Sequence, residues 1–337
     1  MKYIFCLLGV FLACGISFAE QLPSSFDLRD INGHSYIGPV RDQGDCGSCY
    51  SFGASAAAES VYNRYHGLYD DAAVDLSESF IIWSLSPLYE EFAGCDGASW
   101  DYEELTAIVE HGVPLEADFP YVITDPGSNN HHWDAPRIGF AEWYRIPSND
   151  IETTKRIIQR FSAVDAAVFA DDDFRRYSGG IFQNTDTSVD CIWPYYSSTN
   201  HAISLVGWED NPDDGRMGYW ILRNSWGSDW GKDGYMWIRY TSAKASMEGT
   251  YILYEPWGGE NVRWKNAGEV YAVPWSAGGT MNAHAVDIWT GVGSSVINTG
   301  ILSATASADA DLATARSLQT RRARPQQECY SAADPRS

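Results

Sequence analysis

Apolar and polar positions along this chain repeat with two different periods. Over residues 48–66 the residues Ala54, Ala56, Ala57, Ala58, Val61 and Tyr65 recur at helical spacing, and Gly67 supplies a stop. Residues 77–85 predict a second helix, with Ser77 as its N-cap and Pro87 past its end. Residues 100–110 predict a third, stopped by Gly112 and Pro114, and residues 151–162 a fourth, capped by Asp150. The period then falls to two. Residues 166–170, 202–208, 219–223 and 235–240 alternate or run apolar between turn residues, which predicts strands. Helices first and strands second predict an α+β protein of two segregated lobes with a cleft between them.

The two ends of the chain read differently. Lys2, an apolar stretch over 3–18 and the small residues Ser17 and Ala19 form a secretory signal over 1–19, cut before Glu20. The expected location is therefore secreted, periplasmic or cell-surface. No internal apolar run is long enough to span a membrane once the signal is removed. Residues 258–300 are rich in Gly, Val, Trp and Ser and predict a short β-rich extension. Residues 301–337 are of low complexity and then Arg-rich, which predicts a disordered tail.

Charge narrows the partners. With 23 Lys+Arg against 45 Asp+Glu the net charge is −22, which excludes a nucleic-acid backbone as ligand. Three polar clusters suggest a metal and fail the test of spacing. The 210–215 turn places Pro212 at a calcium-ligand position, Asp171-Asp172-Asp173 reads as an exposed loop, and His131-His132 as a polar surface pair. No metal and no cofactor is expected.

The cysteines carry the chemistry. Signal cleavage removes Cys6 and Cys14 and leaves Cys46, Cys49, Cys95, Cys191 and Cys329, an odd set with at least one free thiol. Cys49 stands at the head of the first predicted helix, where the macrodipole favours a thiolate and so a nucleophile. Two other readings fit the same segment: Cys46 and Cys49 as a thioredoxin-like redox pair, or one of them as half of a structural disulfide. Downstream, His201 heads an apolar strand, and Asn224-Ser225-Trp226-Gly227 is followed by Trp230-Gly231 and Gly234-Tyr235.

With LPSSFDLRD at 22–30, Leu76-Ser77-Glu78, Gly94-Cys95-Asp96-Gly97, Phe119-Pro120-Tyr121 and Tyr177-Ser178-Gly179-Gly180-Ile181-Phe182, these segments resemble the papain family of cysteine peptidases in order and spacing. The resemblance implies a papain-like domain over 20–257, with a helical left lobe, a β-barrel-like right lobe and the active site in the cleft. It implies an endopeptidase acting on proteins or peptides through a Cys49 thioester. Cys49 is the nucleophile beside protonated His201, Asn224 orients the imidazole, and Trp226 shields that hydrogen bond. Gln43 donates to the oxyanion together with the Cys49 backbone N–H.

The same resemblance pairs Cys46 with Cys95 in a disulfide, which removes the redox reading, and leaves Cys191 and Cys329 without assigned partners. It places Gly97 and Ala98 at the edge that binds substrate, with Ala98 where a second Gly is usual, and Tyr50 where Trp is usual. Counting four residues past Gly249 makes Leu253 the floor of the subsite for the P2 residue, so an apolar P2 is expected. LPSSFDLRD follows the signal so closely that no N-terminal propeptide fits between them. A monomer is expected. Two rivals are an exopeptidase of the same family and a catalytically silent surface-binding or adhesion module.

Overall fold

The computed structural model describes residues 21–89, 92–98, 102–185, 199–210 and 218–254. The predicted signal, the extension over 258–300, the tail over 301–337, Cys191 and Cys329 lie outside the described residues.

Helix α1 (Cys49–His66) is rich in small residues over 51–60 and is buried nearly all round there. Its small side chains let two layers close on it. Ala54, Ala57, Ala58 and Val61 enter the core of the helical lobe. On the opposite face Gly53 meets the sheet, and Ser60 Oγ accepts from the Ala163 N–H at 2.8 Å. Gly67 ends the helix in the left-handed region at φ 65°, its N–H bonded to the Asn63 carbonyl.

The helical lobe is completed by α2 (Glu103–His111), which ends at Gly112, and by the segment predicted as a helix over 77–85. Ser77 does cap that segment, accepting from the Phe80 N–H at 3.0 Å. The turn that follows is a π-helix over Phe80–Leu85, continued by a 3₁₀ turn over Ser86–Leu88 that contains Pro87. The wider turn has a packing reason: Phe80, Ile81, Ile82 and Leu85 are all fully buried, more than an ordinary α-helical face turns inward.

The second lobe is one sheet of eight strands: β1 (Ser25–Asp27), β2 (Glu142–Ile146), β3 (Val164–Val168), β4 (Ile181–Phe182), β5 (His201–Glu209), β6 (Tyr219–Arg223), β7 (Tyr235–Arg239) and β8 (Glu248–Leu253). The spatial order is β2-β8-β3-β5-β6-β7-β4, with β1 paired to β5, and all pairs are antiparallel except β4 with β7. Helix α3 (Ile151–Arg160) starts at Asp150, whose carboxylate accepts from the Thr153 N–H at 3.0 Å, as predicted. The strand predicted over 166–170 lies two residues earlier, as β3.

Trp208, Trp220, Phe174 and the apolar faces of β3, β5 and β6 fill the sheet core. Successive residues of β8 and its exit alternate between the two cores. Tyr251 and Leu253 enter the sheet core, while Ile252 and Tyr254 enter the helical one.

Two polar clusters differ from expectation. Asp171 is the N-cap of the short helix α4 (Asp172–Arg175), accepting from the Phe174 N–H at 2.8 Å, rather than part of a loop. His131 is buried and bonds Asp125, leaving only His132 exposed on the face of Phe119. Asp210 binds Lys155 at 2.6 Å and the Tyr240 hydroxyl at 2.7 Å. Among the described residues there is no metal-binding cluster, and no helix is long and apolar enough to cross a membrane.

Candidate active site

The loop entering α1 is held by backbone hydrogen bonds, a disulfide and tyrosine hydroxyls. The Gln43 N–H bonds the Ser225 carbonyl at 2.8 Å, and the Gly47 N–H bonds the Cys95 carbonyl at 3.0 Å. A Cβ on Gly47 would lie 2.5 Å from that same carbonyl oxygen, so only glycine fits. Cys46 and Cys95 form a disulfide. Tyr121 donates its hydroxyl to the Gln43 carbonyl at 2.8 Å and sits 2.8 Å from Ser48 Oγ. Tyr50 uses its hydroxyl on the Gly94 carbonyl at 2.8 Å, so the tyrosine in place of the usual tryptophan adds a tie to the disulfide loop.

Cys49 is the free cysteine of the described residues and the first residue of α1. Burial pushes its thiol above the usual value, opposed by the backbone N–H groups of Ala202 and Tyr50. The sulfur is therefore beside the residue that follows His201.

His201 is the first residue of β5, and its position follows from register. Ser204 pairs with Arg223, so the head of β5 lies beside the exit of β6, where Asn224 and Trp226 stand. His201 Nε2 is 2.7 Å from Asn224 Oδ1. That oxygen also accepts from the Ser225 N–H at 2.8 Å, which fixes the amide with its carbonyl toward the imidazole. Nε2 then carries the hydrogen, and Nδ1 is free to accept a proton. The Trp226 ring stacks on the imidazole at 4.4 Å between centroids, and the Phe174 ring stands edge-on. Burial lowers His201 to about 4, opposed by the bond to Asn224. Each group taken alone is pushed toward its neutral form, so a thiolate–imidazolium pair depends on their mutual attraction and on the helix terminus.

Gln43 is pinned at both ends of its amide. Oε1 accepts from Ser225 Oγ at 2.7 Å, and Nε2 donates to the Cys46 carbonyl at 2.7 Å. One N–H remains to point elsewhere. Sequence reasoning passed over Ser225, although its place directly after Asn224 was the available signal: consecutive residues serve the imidazole and the amide.

Gly97, at φ 101°, bonds through its carbonyl to the Ala93 N–H at 2.9 Å, and it sits against Gly47 with Ala98 beside it on the left rim. Leu253 lies toward the C-terminal end of β8. It is buried in the sheet core at the far end of β8, paired with Glu142. The β8 residue at the His201 end is Glu248, which pairs with Ala167 next to the Val168–His201 pair. Glu248 Oε2 accepts from Thr199 Oγ1 at 3.5 Å.

Comparisons with known proteins identify the family. Residues 22–254 match the model of the papain family cysteine protease. A probable cysteine protease of Arabidopsis thaliana is 31% identical over 218 residues, covering 64% of this chain and 43% of that protein. Fruit bromelain of Ananas comosus is 30% identical over 231 residues, covering 68% and 58% respectively. This chain thus spans about half the length of the curated relatives it matches. Among solved structures, digestive procathepsin L 3 of the Tenebrio molitor larval midgut superposes with a TM-score of 0.57 at 28% identity, over 71% of this chain and 72% of that one. A pinned glutamine, a helix-terminal cysteine and a histidine bound to asparagine thus meet where two lobes join, and with the match over 22–254 they establish that the chain belongs to the papain family of cysteine proteases.

Proposed function

We propose that this chain is a secreted, monomeric cysteine endopeptidase that cleaves peptide bonds through a thioester on Cys49. The observation that carries the reading is the orientation of His201: Asn224 holds Nε2, leaving Nδ1 free at the end of β5 where the Ala202 amide reaches the sulfur. Nδ1 takes the thiol proton, and the thiolate attacks the scissile carbonyl carbon. The resulting oxyanion lies between the free N–H of Gln43 Nε2 and the Cys49 backbone N–H. His201 returns the proton to the leaving amine, and water, deprotonated by the same imidazole, hydrolyses the thioester. Trp226 keeps water from the His201–Asn224 bond.

The rim formed by Gly97 and Ala98 offers backbone to an extended substrate. The count from Gly249 to Leu253 implies an apolar P2, and register with β3 supports a different reading. Glu248 and Thr199 supply a polar wall near His201 instead, which favours a basic residue there. The test uses the epoxide E64 and a peptide library blocked at both ends. Labelling confined to Cys49, loss of label and cleavage in Cys49→Ala, internal cleavage, and Arg or Lys preferred to Leu at P2 are expected. Label elsewhere, or activity surviving Cys49→Ala, overturns the enzyme reading. Release of terminal residues only, from unblocked peptides, overturns the endopeptidase reading.

A further inference from the structure

The two donors assigned to the oxyanion, the Gln43 amide and the Cys49 backbone N–H, stand at opposite ends of one loop, residues 43–49. A phenol from outside that loop bridges its ends. The Tyr121 hydroxyl lies 2.8 Å from the Gln43 carbonyl oxygen and 2.8 Å from Ser48 Oγ. A carbonyl can only accept, so the single hydroxyl hydrogen of Tyr121 goes to Gln43, and Ser48 Oγ donates to the tyrosine oxygen. Ser48 gives up an ordinary task to do so. It is the N-cap of α1, where a serine usually accepts from the N–H of the second or third helical residue, here Tyr50 or Ser51, yet its side chain makes no such bond. Ser48 is fully buried, and the contact with Tyr121 is what satisfies its hydroxyl.

Tyr121 serves as a fixed point because its own segment is tied down. Its N–H bonds Glu116 Oε1 at 2.6 Å, the Val122 N–H bonds Ser79 Oγ at 2.8 Å, and the Val122 carbonyl accepts from Trp83 Nε1 at 2.9 Å. The Phe52 ring, one turn into α1, stands edge-on to the Tyr121 ring at 5.0 Å between centroids. Ile123 extends the support. Its Cγ2 lies 3.8 Å from where a Cβ on Gly44 would be, and its carbonyl oxygen 3.4 Å from Cys95 Sγ of the disulfide. Residues 121–123 therefore meet the 43–49 loop at its start, at its disulfide and just before its end. The oxyanion forms only as the reaction proceeds, so misplaced donors are felt in turnover rather than in substrate binding.

We propose that Tyr121 is a positioning residue for the oxyanion hole: by holding the Gln43 carbonyl and the Ser48 hydroxyl on one phenol oxygen, it fixes the separation of the two donors that receive the developing charge. The proposal rests on the cysteine-peptidase reading above, and two readouts keep the two separable. On the full chain, hydrolysis of a peptide substrate and alkylation of Cys49 by iodoacetamide are measured for wild type, Tyr121→Phe, Gln43→Ala and the double variant. Alkylation forms no oxyanion, so it reports the thiol and the fold but not the donors. Tyr121→Phe keeps the ring against Phe52 and removes only the hydroxyl. It is expected to lower kcat and kcat/KM together by roughly tenfold, with alkylation within about twofold of wild type. In the Gln43→Ala background the same change is expected to cost at most about threefold, because the amide it places is gone. A purely structural role costs the same factor in both backgrounds and slows alkylation as well. That pattern, or turnover of Tyr121→Phe within about twofold of wild type, overturns the proposal. Should Tyr121→Phe not fold, Ser48→Ala removes the other end of the chain and is read by the same criteria. Alkylation confined to Cys49 without any peptide hydrolysis by the wild type overturns the peptidase reading instead.

Discussion

The two halves of the candidate active site are built on different principles. The thiol half is fixed mainly by covalent and backbone constraints: a disulfide, a glycine too crowded for any side chain, and the start of a helix. The imidazole half is fixed by side chains: an asparagine carbonyl on one nitrogen and a tryptophan stacked on the ring. Backbone fixing leaves little room for substitution, because one added atom displaces the loop. Side-chain fixing is graded, because each removed ring exposes the imidazole a little more. Ser225 joins the halves, with its backbone carbonyl and its hydroxyl both bonded to Gln43 and its N–H bonded to Asn224.

The sharpest test of this contrast is Gly47→Ala. Its methyl group must push the Cys95 carbonyl away and move the Cys49 loop with it, and kcat/KM is expected to fall by roughly 10²-fold. A loss below about threefold would show that the thiol half is as pliable as the other.

Trp226→Ala comes next, with an expected fall of roughly tenfold in kcat/KM as water reaches the His201–Asn224 bond. Its signature is in the pH dependence of stability. His201 is lowered by burial to about 4 when folded, whereas the unfolded chain protonates it near 6.5. Between those values the unfolded state binds more protons, so stability is full above the unfolded value and is lost as pH falls through that window. Exposing the ring raises the folded value toward the unfolded one. The stability difference between pH 7 and pH 5, read by urea unfolding, is therefore expected to shrink in Trp226→Ala.

The smallest effect belongs to Ser225→Ala. It frees one end of the Gln43 amide but leaves the bond to the Cys46 carbonyl, so a fewfold loss in kcat with little change in KM is expected. A loss as large as that of Gln43→Ala would mean that the amide depends wholly on the serine.

Most of the proposed catalytic set could be named from the sequence because it lies in local motifs whose residues stay together when folded. Gln43 and Cys49 share one loop, and Asn224, Ser225 and Trp226 share one strand exit. Helices α1 and α3 were legible for the same reason, since composition and caps are local. The misses depend on pairing between distant segments. Strand β8 carries no clean alternation because its two faces enter two cores, and counting from Gly249 toward the C-terminus led to Leu253. Register with β3 leads the other way, to Glu248. The π-turn over Phe80–Leu85 was invisible because a run of buried apolar residues fits several helical geometries.

The alternation along β8 also bears on how the molecule comes apart. One short strand inserts Tyr251 and Leu253 into one core and Ile252 and Tyr254 into the other, so peeling it away uncovers both at once. Neither lobe can melt while the other keeps its full complement of apolar contacts. Heating or denaturant therefore meets a single cooperative unit, and the walls of the cleft are joined by a seam that resists hinge opening.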